Sequence, residues 1–385
     1  MSTAWSKRIP WILGIAYWML MIINHRFNMW DFKVYYSAAE AFIHGEPVYG
    51  QAFGLGSGFY KYSPFAVLPF IPLAILPYFW AQTIYYFLLL GLIIRSVQVW
   101  NDQMRRPNAK WTIGTTTVLT LLFFGDHLER ELFLGNVNFL LLAILFWVWK
   151  NYKAQKWRVA GVLLAVVILF KPHFVILIPL LIIAKQWEWL KFWAISVLAF
   201  LVLPLFLVGP LDGWQMTLDW MATMKTHNVE LYNSPNTLYG LFNHLVAVPL
   251  GWNLKSKCVL LILMLLGVFG GFLWIKKFKS GKWPLTYAFI ALIALVPSLT
   301  HTDTEHFLFS IPIFVFWLNS YSRDEKWGVD GILICLAFIP FTLNSPDLVG
   351  KSISHFFDEE GGIGVANVLL ITAYFLRLNR VFPNH

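Results

Sequence analysis

Between Phe65 and about Val99 the chain runs for 35 residues with one charged side chain, Arg95. At ~1.5 Å per helical residue this exceeds what a single crossing of a ~30 Å hydrocarbon layer needs. Pro64 opens the run, and Pro69, Pro72 and Pro77 crowd its first half. Each proline removes a helical N–H and clashes with the preceding turn. The stretch therefore reads as one full crossing from about Trp80, preceded by a broken or half-inserted helix. Two full crossings are the alternative. Further apolar spans are expected at roughly Ile9–Asn24, Trp111–Phe124, Asn138–Val148, Val159–Phe170, Phe174–Ala184 and Leu190–Leu207. Others follow at Cys258–Ile275, Trp283–Val296, Phe307–Leu318, Gly331–Leu343 and Ile363–Phe375. Continuous apolar runs point to helices, because barrel strands alternate. The fold class expected is all-α, a polytopic transmembrane helical protein.

Composition agrees: 58% of residues are hydrophobic and only 13% charged, about half the charge of a soluble domain. The 20 Trp and 15 Tyr suit interfacial belts at many helix ends. Cys258 and Cys335 both fall in apolar spans, which argues against a disulfide framework or a cysteine metal site. Met1 to Arg8 is a short basic start. No small-residue cleavage pattern follows the next apolar span, so that span reads as a retained first helix.

Counting one net crossing for Phe65–Val99 places about 20 of the 29 Lys and Arg side chains on the inner side. A second crossing there would flip every later loop and break the positive-inside rule. The expectation is about 12 crossings plus juxtamembrane helices, with both termini cytoplasmic. On this map about 15 of the 20 carboxylates and every histidine except His385 face outward. The net charge of +9 is then a cytoplasmic anchor, not a nucleic-acid surface. Acid–base chemistry belongs to the outer face of a plasma (inner) membrane. The chain reads as one membrane domain, with a motif-bearing module over 1–208 and an outer loop plus C-terminal helices over 209–385.

Six polar stretches can carry that chemistry. Trp30-Asp31-Phe32-Lys33-Val34-Tyr35-Tyr36-Ser37-Ala38-Ala39-Glu40 follows the first span. Asp31 is an ordinary loop acid or a general base, partly desolvated among aromatic rings. Glu40 and Glu46 look structural. Lys61, between Tyr60 and Tyr62, holds a phosphate or snorkels. Gly125 to Asn138 reads as a polar loop dipping into a site. In it Asn136 and Asn138 either hydrogen-bond sugar hydroxyls or, for Asn136, cap the next helix. Lys171 and His173 sit between two apolar spans with almost no loop. An ionisable group so placed is a functional candidate, and a lysine pairs with phosphate as a point charge. The loop from Gly209 to Lys257 is the longest, with Asp219, His227, Asn228, Glu230, Asn233, Ser234, Asn236 and His244. Pro297 to Phe307 holds His301, Asp303, Glu305 and His306. These suit a phosphate or sugar site, a proton relay, or a divalent ion on Asp303 with His301 or His306. A third firm ligand is missing, so no metal site and no cofactor is assigned. Walker, dinucleotide, zinc-protease and nucleophile-elbow motifs are absent from the sequence.

In order, several pieces resemble glycosyltransferase family 87. They are Asp31-Phe32-x-Val34-Tyr35-Tyr36-x-Ala38-Ala39 with Gly45 and Tyr49, and Tyr62-Ser63-Pro64 for the family's Tyr-Pro-Pro. Next come Gly135-Asn136-x-Asn138 for Gly-Gln-x-Asn, then Ala160-Gly161 with Lys171-Pro172. The Pro297–His306 stretch is similar to a later Pro-x-Ser…His segment, with extra spacing. The resemblance implies a GT-C-type membrane fold. It also implies inverting transfer of a sugar from a polyprenyl-phosphate donor to an acceptor hydroxyl of a glycan or glycolipid. It maps the general base to Asp31 and a histidine near the donor phosphate to His306. Mannose is the sugar of its best-known members, with a pentose also in range. Lys171, His173, Lys61, Tyr62, Asn136 and Asn138 complete the expected substrate contacts. Two alternatives remain: a transporter or glycolipid flippase without covalent chemistry, and a polymerase or ligase using a diphosphate-linked donor. Membrane lipid is a partner in every reading, and nucleic acid in none.

Overall fold

The computed structural model describes residues 3–53, 58–227, 234–251, 284–299, 303–322, 324–344 and 346–382. Its elements are helical, and among these residues strand-like pairing is confined to isolated bridges. In chain order the first helices are α1 (Thr3–Ile23), α2 (Trp30–His44), α3 (Ile71–Ala74), α4 (Tyr78–Met104), α5 (Ile113–Phe123) and α6 (Gly125–Leu134). Then come α7 (Asn138–Lys153), α8 (Trp157–Phe170), α9 (Leu177–Ile183), α10 (Trp187–Leu207), α11 (Pro210–His227) and α12 (Leu238–Phe242). After them stand α13 (Leu285–Leu295), α14 (Ile311–Ser320), α15 (Val329–Thr342), α16 (Pro346–Val349), α17 (Lys351–Glu359) and α18 (Gly362–Val381).

The proline-rich half of the long run is broken as its sequence demands. Pro64–Phe70 forms a 3-10 segment and Ile71–Ala74 one short α-turn, before α4 begins at Tyr78. Among the described residues three helices are each long and apolar enough to cross a membrane: α4, α10 and α18. The pair α6 and α7 passes together, bent by 111° at the intervening break. Shorter apolar helical stretches of 10–17 residues include Arg8–Ile23, Ile113–Phe123, Trp157–Phe170 and Val329–Thr342. The expected span Cys258–Ile275 lies outside the described residues, as do Asn228, Glu230, Asn233 and His301.

Two loop assignments change. Gly125–Asn138 is helix α6 followed by a tight turn, and most of Gly209–His227 is helix α11. Both segments are rich in polar side chains, and a polar helix leaves no apolar run for the eye to follow.

The chain forms two compact units. One comprises Met1–Ser96 and Arg130–Val229, the other Val97–Glu129 and Glu230–His385. In the first unit α8 packs on α7 and α10. A Cβ on Gly161 would meet Trp193 N at 2.7 Å and Phe192 Cβ at 2.8 Å. The Ala160-Gly161 pair is therefore a smooth patch that lets two helix backbones approach. In lipid, where apolar burial drives little, such close packing is what holds helices together. The opposite side of α10 is open, with Ile195, Leu198, Val202 and Phe206 exposed, as a lipid-facing surface should be. In the second unit every residue of α14 is buried, with α5, α13 and α18 packed around it.

Candidate active site

α2 starts after Met29, whose backbone is left-handed (φ 45°), and carries Asp31 in its first turn. Negative charge there is favoured by the unpaired N–H groups of the helix start. Tyr78 OH donates to Asn28 O at 2.5 Å, and the Phe32 ring stacks on Tyr85 at 4.5 Å. These contacts fix the entry of α2 against α4.

The turn between α6 and α7 meets this entry. Gly135 is left-handed (φ +68°), and a Cβ there would lie 2.7 Å from Met29 Cε and 2.8 Å from Phe32 Cβ. The close approach delivers Asn136 to Asp31. Asn136 Oδ1 accepts the Val137 N–H at 2.7 Å, so the amide points Nδ2 the other way, onto Asp31 Oδ2 at 2.7 Å. Asn136 thus satisfies an N–H at the start of α7 and orients the acid in one step. Its backbone carbonyl accepts Tyr85 OH at 3.2 Å.

Asn138, two residues on, faces a cation. Its Oδ1 accepts Lys171 Nζ at 2.6 Å. Lys171 is 6% exposed. It ends α8 in an extended conformation (φ −130°, ψ 98°), which Pro172 imposes on the residue before it. The Lys-Pro pair therefore stops the helix and turns the lysine inward. His173 follows, half-buried, on the 3-10 turn Pro172–Ile176.

Tyrosines line the Asp31 side. Tyr35 OH lies 3.2 Å from Tyr62 OH and 3.4 Å from Asn136 Oδ1. Burial, then the neighbouring Tyr62 and Asp31, push the Tyr35 hydroxyl well above the ordinary tyrosine range, so it stays a proton donor. Tyr49 OH donates to Tyr62 O at 2.6 Å, and Tyr60 packs between the Tyr49 and Tyr62 rings at 5.7 Å from each. Lys61 is half-buried. Its carbonyl accepts Trp220 Nε1, and its ammonium has no hydrogen bond or ion pair among the described residues.

The first unit thus brings together Asp31, Tyr62, Asn136, Asn138 and Lys171. It also adds one group that the sequence reading passed over, Glu131. Buried in α6, Glu131 accepts the Phe139 N–H at 2.7 Å and Asn138 Nδ2 at 3.0 Å. Its spacing of seven to Asn138 spans a turn, so no helical periodicity flags the pairing.

The second unit holds His306. Asp303 and His306 form a reciprocal cap on the 3-10 helix Thr304–Ser310. His306 Nδ1 takes the Asp303 N–H at 3.0 Å and also lies 3.3 Å from the Asp303 carbonyl oxygen. Ligand atoms of Asp303, Glu305 and His306 lie within 4.8 Å of one another, a donor set a divalent cation accepts. Hydrogen bonding within the cap already employs Asp303 and His306. His127 Nδ1 contacts Thr304 O at 2.7 Å and braces the same segment.

Comparison with known proteins supports the resemblance. Residues 59–302 match the model of Glycosyltransferase family 87. The matched region holds Tyr62, Asn136, Asn138 and Lys171, while Asp31 precedes it and His306 follows it. An alpha-(1->3)-arabinofuranosyltransferase of Corynebacterium glutamicum is 24% identical over 180 residues, 44% of this chain. The match spans 42% of that relative's length.

Proposed function

The chain belongs to glycosyltransferase family 87, an all-helical integral membrane glycosyltransferase, and from that premise we propose that it transfers a sugar from a polyprenyl-phosphate donor with Asp31 as general base. One observation carries the reading: a carboxylate and an ammonium are held by two asparagines two residues apart, Asn136 on Asp31 and Asn138 on Lys171. The acceptor oxygen attacks the anomeric carbon and passes its proton to Asp31. The bond from that carbon to the phosphate oxygen breaks, and the electron pair leaves with the phosphate. A phosphate is already stable as an anion, so the departure needs cationic stabilisation and no strong acid. Lys171 supplies that charge. The resemblance assigns His306 a place near the donor phosphate, and no step is routed through it. Tyr62, half-buried in front of the buried Tyr35 and Tyr49, offers its ring face to a sugar; Lys61 and His173 stand as secondary contacts. The step calls on no metal and no cofactor.

Mannose and a pentose are both carried forward as the sugar, since the relative matched above is named for arabinofuranose. The acceptor is a glycan or glycolipid. The reading puts the site on the outer face of the plasma membrane, and the lysine and arginine distribution supports that side.

The test is transfer of labelled sugar from a panel of polyprenyl-phosphate mannose and pentose donors, in membranes with and without chelator. Asp31→Asn is expected to lower transfer by roughly 10²–10⁴-fold, the range of a lost general base. Lys171→Met is expected to lower it by on the order of 10²-fold, as for a lost oxyanion partner. Full activity of folded Asp31→Asn would remove the aspartate from its role. Donor moved across proteoliposomes with no covalent change would favour the transporter alternative. Loss of activity on chelation would put a metal into the step.

A further inference from the structure

Glu131 is fully buried, and the step proposed above makes no use of it. A carboxylate presents only acceptors. With Oε1 on the Phe139 N–H and Oε2 on Asn138 Nδ2, it obliges the Asn138 amide to turn its nitrogen toward α6 and its oxygen away. That oxygen is the atom Lys171 Nζ reaches. The bonds therefore run in one direction, Lys171 to Asn138 to Glu131, and the direction is set at the Glu131 end.

We infer that Glu131 is a positioning residue for the transfer: by fixing the Asn138 amide it holds the Lys171 ammonium at the point where the donor phosphate departs. The inference rests on Lys171 being the phosphate contact. It is separable from simple capping of α7. Capping needs only an oxygen for the Phe139 N–H, and a glutamine keeps one. Glu131→Gln, however, turns an amide NH2 toward the Asn138 NH2. Asn138 relieves that clash only by flipping, which sets its NH2 against the lysine ammonium. Two donors then face each other, and Lys171 is displaced. Adding Asn138→Asp restores the order of donors and acceptors. The introduced amide NH2 donates to one oxygen of the introduced carboxylate, and the other oxygen of that carboxylate accepts Lys171. The net charge equals that of the wild type.

The experiment compares full-length wild type, Glu131→Gln and the double variant Glu131→Gln/Asn138→Asp in nanodiscs. It reads kcat and KM for transfer and, separately, binding of sugar-free decaprenyl phosphate, with thermal melting to confirm the fold. Glu131→Gln is expected to lose on the order of tenfold or more in kcat and to weaken decaprenyl phosphate binding. The double variant is expected to regain most of both. Should Glu131→Gln not accumulate folded, the double variant alone carries the test, and inactivity of that folded protein overturns the inference. Wild-type rates in Glu131→Gln, or a folded double variant no better than the single one, overturn it as well. A wild type that neither transfers sugar nor binds decaprenyl phosphate overturns the functional reading beneath it, a result distinct from the others.

Discussion

Gly135 sets how closely Asn136 approaches Asp31. Its backbone is left-handed, and a Cβ would press on Met29 and Phe32 at under 3 Å, so an alanine there meets both strain and a clash. Gly135→Ala is expected to cost about 1–3 kcal/mol in stability and to lower transfer more than its melting shift explains, because Asn136 retreats from Asp31. Gly45→Ala is the control: φ is +71°, and no described atom lies within 4 Å of its Cβ. It carries the strain without the clash, and a matched pair of melting curves and transfer rates separates the two. At this scale the sequence was informative where a residue is unusual for its surroundings. An acid after an apolar span, a Lys-Pro between two spans and a Gly-Asn-x-Asn each stand out. Glu131 did not stand out, because its partners are set by the turn at Gly135–Val137 and not by a periodic spacing.

Elements whose ends are marked by proline were legible, and polar helices were not. Pro64 to Pro77 announced a broken entry to α4, and Pro172 announced the stop of α8. α6 and α11 read as loops because their polar side chains interrupt every apolar run. The C-terminal helix shows a further contact that no motif announced. Arg377, on α18, is 1% exposed, yet it forms a forked pair with Glu325 and stacks 3.7 Å from the Tyr321 ring centroid. The fork is a strong geometry for a guanidinium. Hydrogen bonding to Arg377 holds the Glu325 carboxyl below its ordinary value of 4.5. A group with a lowered folded pKa stabilises fully above its unfolded pKa and ceases to do so as pH falls through the folded one. The link from the Tyr321 loop to α18 is therefore expected to weaken only below about pH 4.5. Melting from pH 7 down to pH 3.5 checks this: Glu325→Gln should melt lower than wild type at pH 7, and the gap should close toward the acid end. A gap that is constant with pH would mean that the fork contributes shape alone.

At the scale of the whole molecule the proposal fixes which way the protein faces, and the first unit carries a physical argument for it. α8 is 14 residues long, so its ends lie about 20 Å apart. Lys171 closes one end. The other begins at the turn Ala154-Gln155-Lys156-Trp157, in which Gln155 is left-handed. The same kind of turn, Ala184-Lys185-Gln186-Trp187 with Lys185 left-handed, opens the neighbouring α10. Around these turns Lys153 lies over the Trp149 ring, and Arg158 and Lys191 lie over Phe192. Exposed cations backed by aromatic rings mark a membrane interface, and their excess marks the cytoplasmic one. In the orientation proposed, Lys171 and the Asp31 pair face outward. Single cysteines test this in a background lacking Cys258 and the exposed Cys335. A membrane-impermeant maleimide is expected to label Glu46→Cys in intact cells and Gln155→Cys only in inverted vesicles; both positions are exposed. The reverse pattern would place the carboxylate and the ammonium on the cytoplasmic side. The positive-inside argument would then fail for this chain.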